Sequence, residues 1–364
     1  MDGGANAITS KQMALYTFVC QTGIGSIVLP TALAKEVGHD GWISVIATGV
    51  LSIAIAALLG MLLKKSSGKG ILDINKEVYG KVIGTAFNIL IFIYLLVTAS
   101  AGAGIFVVFL RISFFRLTPQ LIMSLIFMLP SFYMVWYGLK TTARFKIFTL
   151  FSYVVVLVYI ILIYKDIRPT FLMPVGEAGI VPLLYSIKTS YFAYIGLELI
   201  AVFYAEITDN EKALRWHVFA NFFSMLFFTI VTAVCTAVFG EKFLPVQSIT
   251  LFNLFRIYNV DVLERIDLFI IAFWFFAISC SIRAYIMASW YSLNKICKKK
   301  KSTFIYMIFI ALLIVISRIP GDINESYLLL DIVNYSGMGI TVLFIISLFI
   351  SAVKTKGGKR YEKG

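Results

Sequence analysis

The sequence predicts an all-α membrane protein of about ten transmembrane helices, built as two five-helix halves in inverted repeat with helices 1 and 6 broken midway. Three observations predict it. Of 364 residues 60% are hydrophobic and 14% charged, and mean hydropathy is +0.91, whereas a soluble domain is about 45–50% apolar and about 25% charged. The apolar residues fall into runs that can each cross a hydrocarbon core about 30 Å thick at about 1.5 Å per residue. Two of those runs, at corresponding places in the two halves, are interrupted by glycine.

This composition excludes an ordinary soluble enzyme, a disordered chain and a nucleic-acid-binding domain. A net charge of +13 would elsewhere point to a polyanionic partner. Here Lys and Arg sit in short connectors between apolar runs, where they orient a membrane protein. The 32 Phe and 19 Tyr suit lipid-facing helices and interfacial belts. No cleavable signal peptide is expected, because the first apolar run opens after a polar start and is too long for a signal sequence.

The expected spans are 11–36, 42–63, 84–110, 119–138, 145–164, 183–206, 214–239, 265–293, 303–319 and 328–353. Within lipid every backbone group must be bonded internally, so each span is expected to be helical. They divide into halves 11–164 and 183–353 of a single membrane domain. With the N-terminus inside, the cytoplasmic segments carry 21 of the 32 Lys and Arg and the outer segments 9, with Lys188 and Arg283 inside spans. This positive-inside bias places both termini in the cytoplasm. Lys140, Arg144 and Lys146 are assigned to one cytoplasmic connector.

Two connectors carry pattern. Between spans 2 and 3, Ile71, Ile74, Val78 and Val82 recur at helical spacing beside Asp73, Lys76, Glu77 and Lys81, which predicts an amphipathic helix lying on the cytoplasmic surface. Between spans 7 and 8, residues 241–263 are half apolar and include Pro245, Phe252, Phe255 and Tyr258. That segment is expected to pack over the outer mouth.

The functional pattern is the pair of breaks. Span 1 is interrupted by Thr22-Gly23-Ile24-Gly25-Ser26, followed by Pro30, and span 6 near Tyr194-Ile195-Gly196. Gly-interrupted helices at matching positions of two halves point to an inverted-repeat transporter and its binding site. Breaking a helix in lipid frees N–H and C=O groups that need a ligand, an ion or water. Glycine also lets helices approach closely. Without a third glycine or a preceding strand, this GxG is no dinucleotide fingerprint.

Lys188 and Glu198 in span 6 and Arg283 in span 8 are ionisable residues inside spans. Each costs about 2.5–3.5 kcal/mol at a helix centre, so each should face protein or water. Glu198 follows the span 6 break and Lys188 precedes it by about two turns. They read as ligand or gating groups, or as structural ion pairs. Arg283 shares a helix face with Ser279. With Cys280 and Ser281 it is a candidate built-in cation where related transporters hold sodium. Span 3 carries Thr98-Ala99-Ser100-Ala101-Gly102-Ala103-Gly104, a run that permits tight packing or leaves room for a small ligand against the span 1 break.

Glu206, Asp209 and Glu211 read as a solvated end of span 6, and Glu264, Arg265 and Asp267 as the start of span 8. Cys20, Cys235 and Cys280 lie in apolar runs, and Cys297 abuts Lys298–Lys301. They suggest no disulfide framework. With two His, at 39 and 217, the chain lacks HExxH, and it has neither GxSxG nor a Walker A motif. No enzyme, metal or cofactor is indicated.

The ordered markers Gly23-Ile24-Gly25 with Pro30, Asp40-Gly41-Trp42, Tyr79-Gly80-Lys81-Val82-Ile83-Gly84, Arg168-Pro169, Gly176-Glu177-Ala178-Gly179 with Pro182, Phe192-Ala193-Tyr194-Ile195-Gly196-Leu197-Glu198, Glu264-Arg265 and Trp274 span about residues 9–355. In them the chain resembles the spore germination permeases, the B-subunits of nutrient germinant receptors in endospore-forming bacteria. The resemblance implies a LeuT-like fold of the amino acid–polyamine–organocation superfamily. It also implies binding of a small germinant (an amino acid, sugar or nucleoside) in the spore inner membrane, beside a membrane A-subunit and a lipoprotein C-subunit. The binding role it implies falls on Thr22 to Ser26, on span 3 around Ser100 and on Tyr194 to Glu198. Relatives often carry Pro-Glu after span 6, where this chain has Ala205-Glu206. A proton- or cation-coupled amino acid permease is the alternative, with Glu198 as its coupling group.

Overall fold

The computed structural model describes residues 6–23, 25–257, 266–297 and 302–361. In chain order the helices are α1 (Ser10–Thr22), α2 (Gly25–Val37), α3 (Gly41–Lys64), α4 (Ile71–Ser113), α5 (Gln120–Trp136), α6 (Leu139–Phe145), α7 (Thr149–Leu162), α8 (Ile180–Tyr185), α9 (Ile187–Ser190), α10 (Leu199–Phe203), α11 (Ala213–Phe243), α12 (Thr250–Leu254), α13 (Ile266–Cys297), α14 (Thr303–Ser317) and α15 (Ile323–Tyr361). Each expected span has a helical counterpart. Spans 1 and 6 are the composite ones, α1 with α2 and α8 through α10.

Among the described residues, seven helical stretches are long and apolar enough to cross a membrane, one of them, Gly25–Lys64, containing both α2 and α3. The apolar helices α5 and α14 are shorter. Long α11 packs along α3 and α1, while α4 carries α13, α15 and α14. Spans 1 and 6 run between these two groups.

Local chemistry explains the ends. Thr9 caps α1 in a reciprocal box with Gln12: the Gln12 N–H donates to the Thr9 hydroxyl and the Thr9 N–H to the Gln12 side chain. The chain before α1 then pairs with the end of span 6. Ile8 N–H donates to the Glu206 carbonyl at 3.0 Å and Thr208 N–H to the Ile8 carbonyl at 2.9 Å. Ser10 donates both its N–H and its hydroxyl to the Asp209 carboxylate, each at 2.6 Å. Those bonds hold Asp209 below the usual carboxylate range although burial opposes the shift. Asp209 is thus a tether.

The amphipathic segment before span 3 is helical, but it is tucked under the bundle. Ile71, Leu72, Ile74 and Asn75 are fully buried. Gly80, at φ 80°, bends the chain between this segment and span 3, and Val82 falls beyond the bend, 83% exposed. The bend is locked: Asn75 Nδ2 donates to Asn88 Oδ1 at 2.9 Å and Asn88 Nδ2 to the Leu72 carbonyl at 2.7 Å. A Cβ at Gly84 would lie 2.4 Å from the Asn75 carbonyl oxygen, so only glycine fits.

The connector expected to hold Lys140, Arg144 and Lys146 is shorter than the sequence implies. Gly138, at φ 98°, reverses the chain at once and α6 begins at Leu139. Lys146 then lies inside the protein, fully buried. It is corrected from surface charge to interior cation. Over the opposite face, Thr250, Leu251, Phe252 and Leu254 of α12 are buried and pack on α2, as expected for the described part of that segment. Residues 258–265, with Tyr258, Glu264 and Arg265, and Lys298–Lys301 lie outside the described residues.

Candidate functional site

Both breaks are present. α1 stops at Thr22 and α2 starts at Gly25, with Gly23 non-helical. In span 6 a tight turn over Tyr191–Tyr194 gives way to extended Ile195 and to Gly196 at φ 119°, a conformation that favours glycine, before α10 begins. The two breaks touch: a Cβ at Gly196 would lie 3.1 Å from Cys20 Sγ, and one at Gly25 would lie 3.0 Å from Ala193 Cα.

A cavity of about 60 Å³ opens where they meet. Span 1 contributes Cys20, Gln21 and Gly25, and span 6 contributes Phe192 and Ile195. Thr98, Ala101, Gly102 and Ile105 of α4 form the facing wall, Ser281, Ile282 and Tyr285 of α13 another, and Leu330 and Val333 of α15 close it. The Thr98 hydroxyl is buried there with no hydrogen-bond partner among the described residues, leaving a polar atom on a mainly apolar wall.

The freed backbone groups are met mostly by the protein's own side chains. Glu198, 1% exposed, accepts the Gly196 N–H on Oε2 at 2.8 Å and the hydroxyls of Tyr94 and Tyr285 on Oε1, each at 2.9 Å. A buried carboxylate is tolerated when it is bonded in this way. Gln21 Nε2 donates to the Tyr194 carbonyl and to Asn221 Oδ1, both at 2.9 Å. Ser52 donates to the same Asn221 oxygen at 2.9 Å, and Ser224 donates to Gln21 Oε1. Ser26 Oγ donates to the Gly23 carbonyl at 2.9 Å.

The sequence-derived residues divide accordingly. Gly25, Ile195 and Ser281 line the cavity. Gly23 packs on α13, where a Cβ would come within 2.5 Å of Ser281 Cβ. Thr22 donates to the Phe18 carbonyl at 2.7 Å and bonds Tyr153. The Tyr194 hydroxyl donates to the Val45 carbonyl at 2.9 Å. Glu198 stands behind Tyr285, and Ser100 returns its hydroxyl to the Leu96 carbonyl of its own helix. Ile24 lies outside the described residues.

Lys188 sits apart, its ammonium 3.4 Å over the Tyr185 ring. Arg283 is 3% exposed. It donates to Ser279 Oγ at 3.0 Å, to Ser131 Oγ at 3.3 Å and to Cys280 Sγ at 3.6 Å. Lys146, which sequence reasoning placed in a loop, donates to the Tyr16 carbonyl at 3.3 Å and lies 3.7 Å from the Tyr16 ring centroid. Sequence reasoning also missed Gln21, Thr98 and Tyr285. The available signal for Gln21 was an uncharged amide in an apolar run, directly before the glycine break.

Comparison with known proteins agrees with this architecture. Spore germination protein B2 of Bacillus subtilis (strain 168) is 22% identical over 360 residues, 97% of each chain. Spore germination protein A2 of the same organism is 24% identical over 342 residues, 92% of each. Spore germination protein GerQB of Bacillus cereus is 22% identical over 272 residues, 74% of this chain and 75% of that one. Among solved structures, the nucleobase-cation-symport-1 family transporter Mhp1 superposes with TM-score 0.65 at 14% identity, covering 93% of this chain and 78% of its own. A manganese transporter mutant of Eremococcus coleocola gives 0.60 at 14%, covering 96% and 82%. These likenesses show the fold, the LeuT-like one. The model of the spore germination protein family matches residues 7–326, and the chain belongs to that family.

Proposed function

We propose that this protein is the nutrient-sensing membrane subunit of a spore germination receptor, binding a small germinant in the cavity between its broken helices. The observation that carries this reading is that cavity, walled by both breaks and by Thr98 and Tyr285. The ligand acts by binding one arrangement of the spans better than another, and a membrane A-subunit and a lipoprotein C-subunit read the change. The protein works in the spore inner membrane with both termini in the cytoplasm, the orientation favoured by its Lys and Arg distribution.

The test is a germinant panel on spores whose only receptor contains this chain, with Gly25→Leu and Thr98→Val as cavity variants. Sensing requires that germination depend on this chain and that both variants raise the half-maximal germinant concentration at normal protein level. Concentrative uptake of the same nutrient by reconstituted protein would instead establish the coupled permease, the activity suggested by the transporter fold.

A further inference from the structure

Near the ends of α2 and α11, three segments converge on two adjacent residues. The turn Gly38–Asp40 joins α2 to α3, residues 173–179 lead into span 6, and Glu241 follows the Gly240 bend near the end of α11. Asp40 is fully buried, and its carboxylate accepts the N–H groups of Gly176 at 2.8 Å and Ala178 at 2.9 Å. His39, 4% exposed, meets Glu241 Oε2 at 3.0 Å through Nδ1 and the Pro174 carbonyl at 2.7 Å through Nε2. A Cβ at Gly38 would lie 2.4 Å from Glu241 Oε1, so glycine is what lets the carboxylate approach.

An ionised carboxylate and a backbone carbonyl can only accept hydrogen bonds. Neutral imidazole carries one N–H and satisfies one of them, whereas imidazolium satisfies both. The other charged groups facing the ring are acidic as well: Glu177 Oε2 lies 3.8 Å and Asp40 Oδ1 3.9 Å from Nε2. Protonated, the ring bridges three carboxylates; neutral, it drops one bond and leaves like charges together. The α2–α3 turn continues the outer half of span 1 and residues 173–179 feed span 6, so the bridge joins the two broken spans at their ends.

We infer that His39 is the proton-operated pin of a clasp that holds the outer ends of the two broken spans together in acid and frees them as the pH rises. Burial disfavours charge on the ring, yet the bonds to Glu241 and Pro174 raise it above the usual histidine range. A group raised on folding contributes fully below its unfolded value and loses that contribution as pH rises through the folded one. Alkali is therefore the releasing condition. The clasp stands whatever the cavity binds.

The test uses the full-length protein in nanodiscs, with Cys297→Ser and nitroxide labels at Ile180→Cys at the start of span 6 and Lys35→Cys near the end of α2, both at exposed sites. Pulsed electron spin resonance reads the distance between them. A single distance is expected at about pH 5.5, with a longer population at least about fivefold greater at about pH 8.5. His39→Gln should abolish that dependence, and Glu241→Gln should move its midpoint about one unit lower. A distribution unchanged with pH overturns the inference, as does an unaltered pH response in folded His39→Gln. Should His39→Gln fail to fold, an unshifted midpoint in Glu241→Gln overturns it equally.

Discussion

The carboxylate of Glu198 reaches back two residues to accept the N–H of Gly196 at 2.8 Å, so span 6 caps its own break. The other oxygen takes hydroxyls from Tyr94 on α4 and Tyr285 on α13. One side chain thereby stabilises the broken backbone and fastens it to the cavity wall.

Glu198→Gln should destabilise the protein by about 1–3 kcal/mol, since the amide cannot accept from Gly196 and from both tyrosines as the carboxylate does. The same variant should change the half-maximal germinant concentration, because Tyr285 borders the cavity. Thermal unfolding in detergent and a germination dose-response check the two expectations. No change in either would show that this carboxylate matters to neither stability nor sensing.

Gly23→Ala should cost about 1–3 kcal/mol by overpacking, because the new methyl would meet Ser281 Cβ at 2.5 Å. Adding Ser281→Gly removes that obstacle and should recover part of the loss. Melting temperatures of the two variants decide it; a double variant no better than the single one would place the cost elsewhere.

Gln21 and Asn221 are expected to be energetically coupled. Gln21→Leu and Asn221→Leu each break a buried network that joins spans 1, 2, 6 and 7, so the double variant should lose less than the sum of the singles by about 0.5–3 kcal/mol. Unfolding midpoints of the four proteins in the cycle measure the term, and simple additivity would exclude a shared network.

The tether at Asp209 should weaken in acid. Burial works against its charge, but the two Ser10 bonds and nearby Lys212 hold the carboxyl below its ordinary range. Its stabilisation is therefore present above the unfolded value and is lost as pH falls through the folded one. Hydrogen exchange at the Ile8 and Thr208 amides, corrected for intrinsic rate, should rise in acid, and Ser10→Ala should move that rise to higher pH.

Much of the fold was legible because a bilayer imposes one rule on every span: apolar length with internally bonded backbone. The breaks were legible because glycine at Gly25 and Gly196 is local information. What escaped was long-range. The partners of Gln21 lie at Tyr194 and Asn221, and Lys146 finds its partner at Tyr16, pairings that no periodicity encodes. Lys146 was misplaced because a positive-φ glycine, Gly138, made the preceding turn shorter than composition suggested. Ser100 was assigned to the ligand through the family resemblance, whereas helix geometry returned its hydroxyl to Leu96 and turned Thr98 toward the cavity.

The elbow at Gly80 joins the helix that forms one cavity wall to the buried segment Ile71–Asn75. Thr98 stands on one arm; on the other, Lys76 donates to the Lys295 carbonyl and Lys295 pairs with Asp73 at 3.1 Å. Asn75 and Asn88 brace the joint, so the two arms form one braced unit. If a germinant occupies the cavity as proposed, a push on that wall would be passed through this joint to the underside of the molecule.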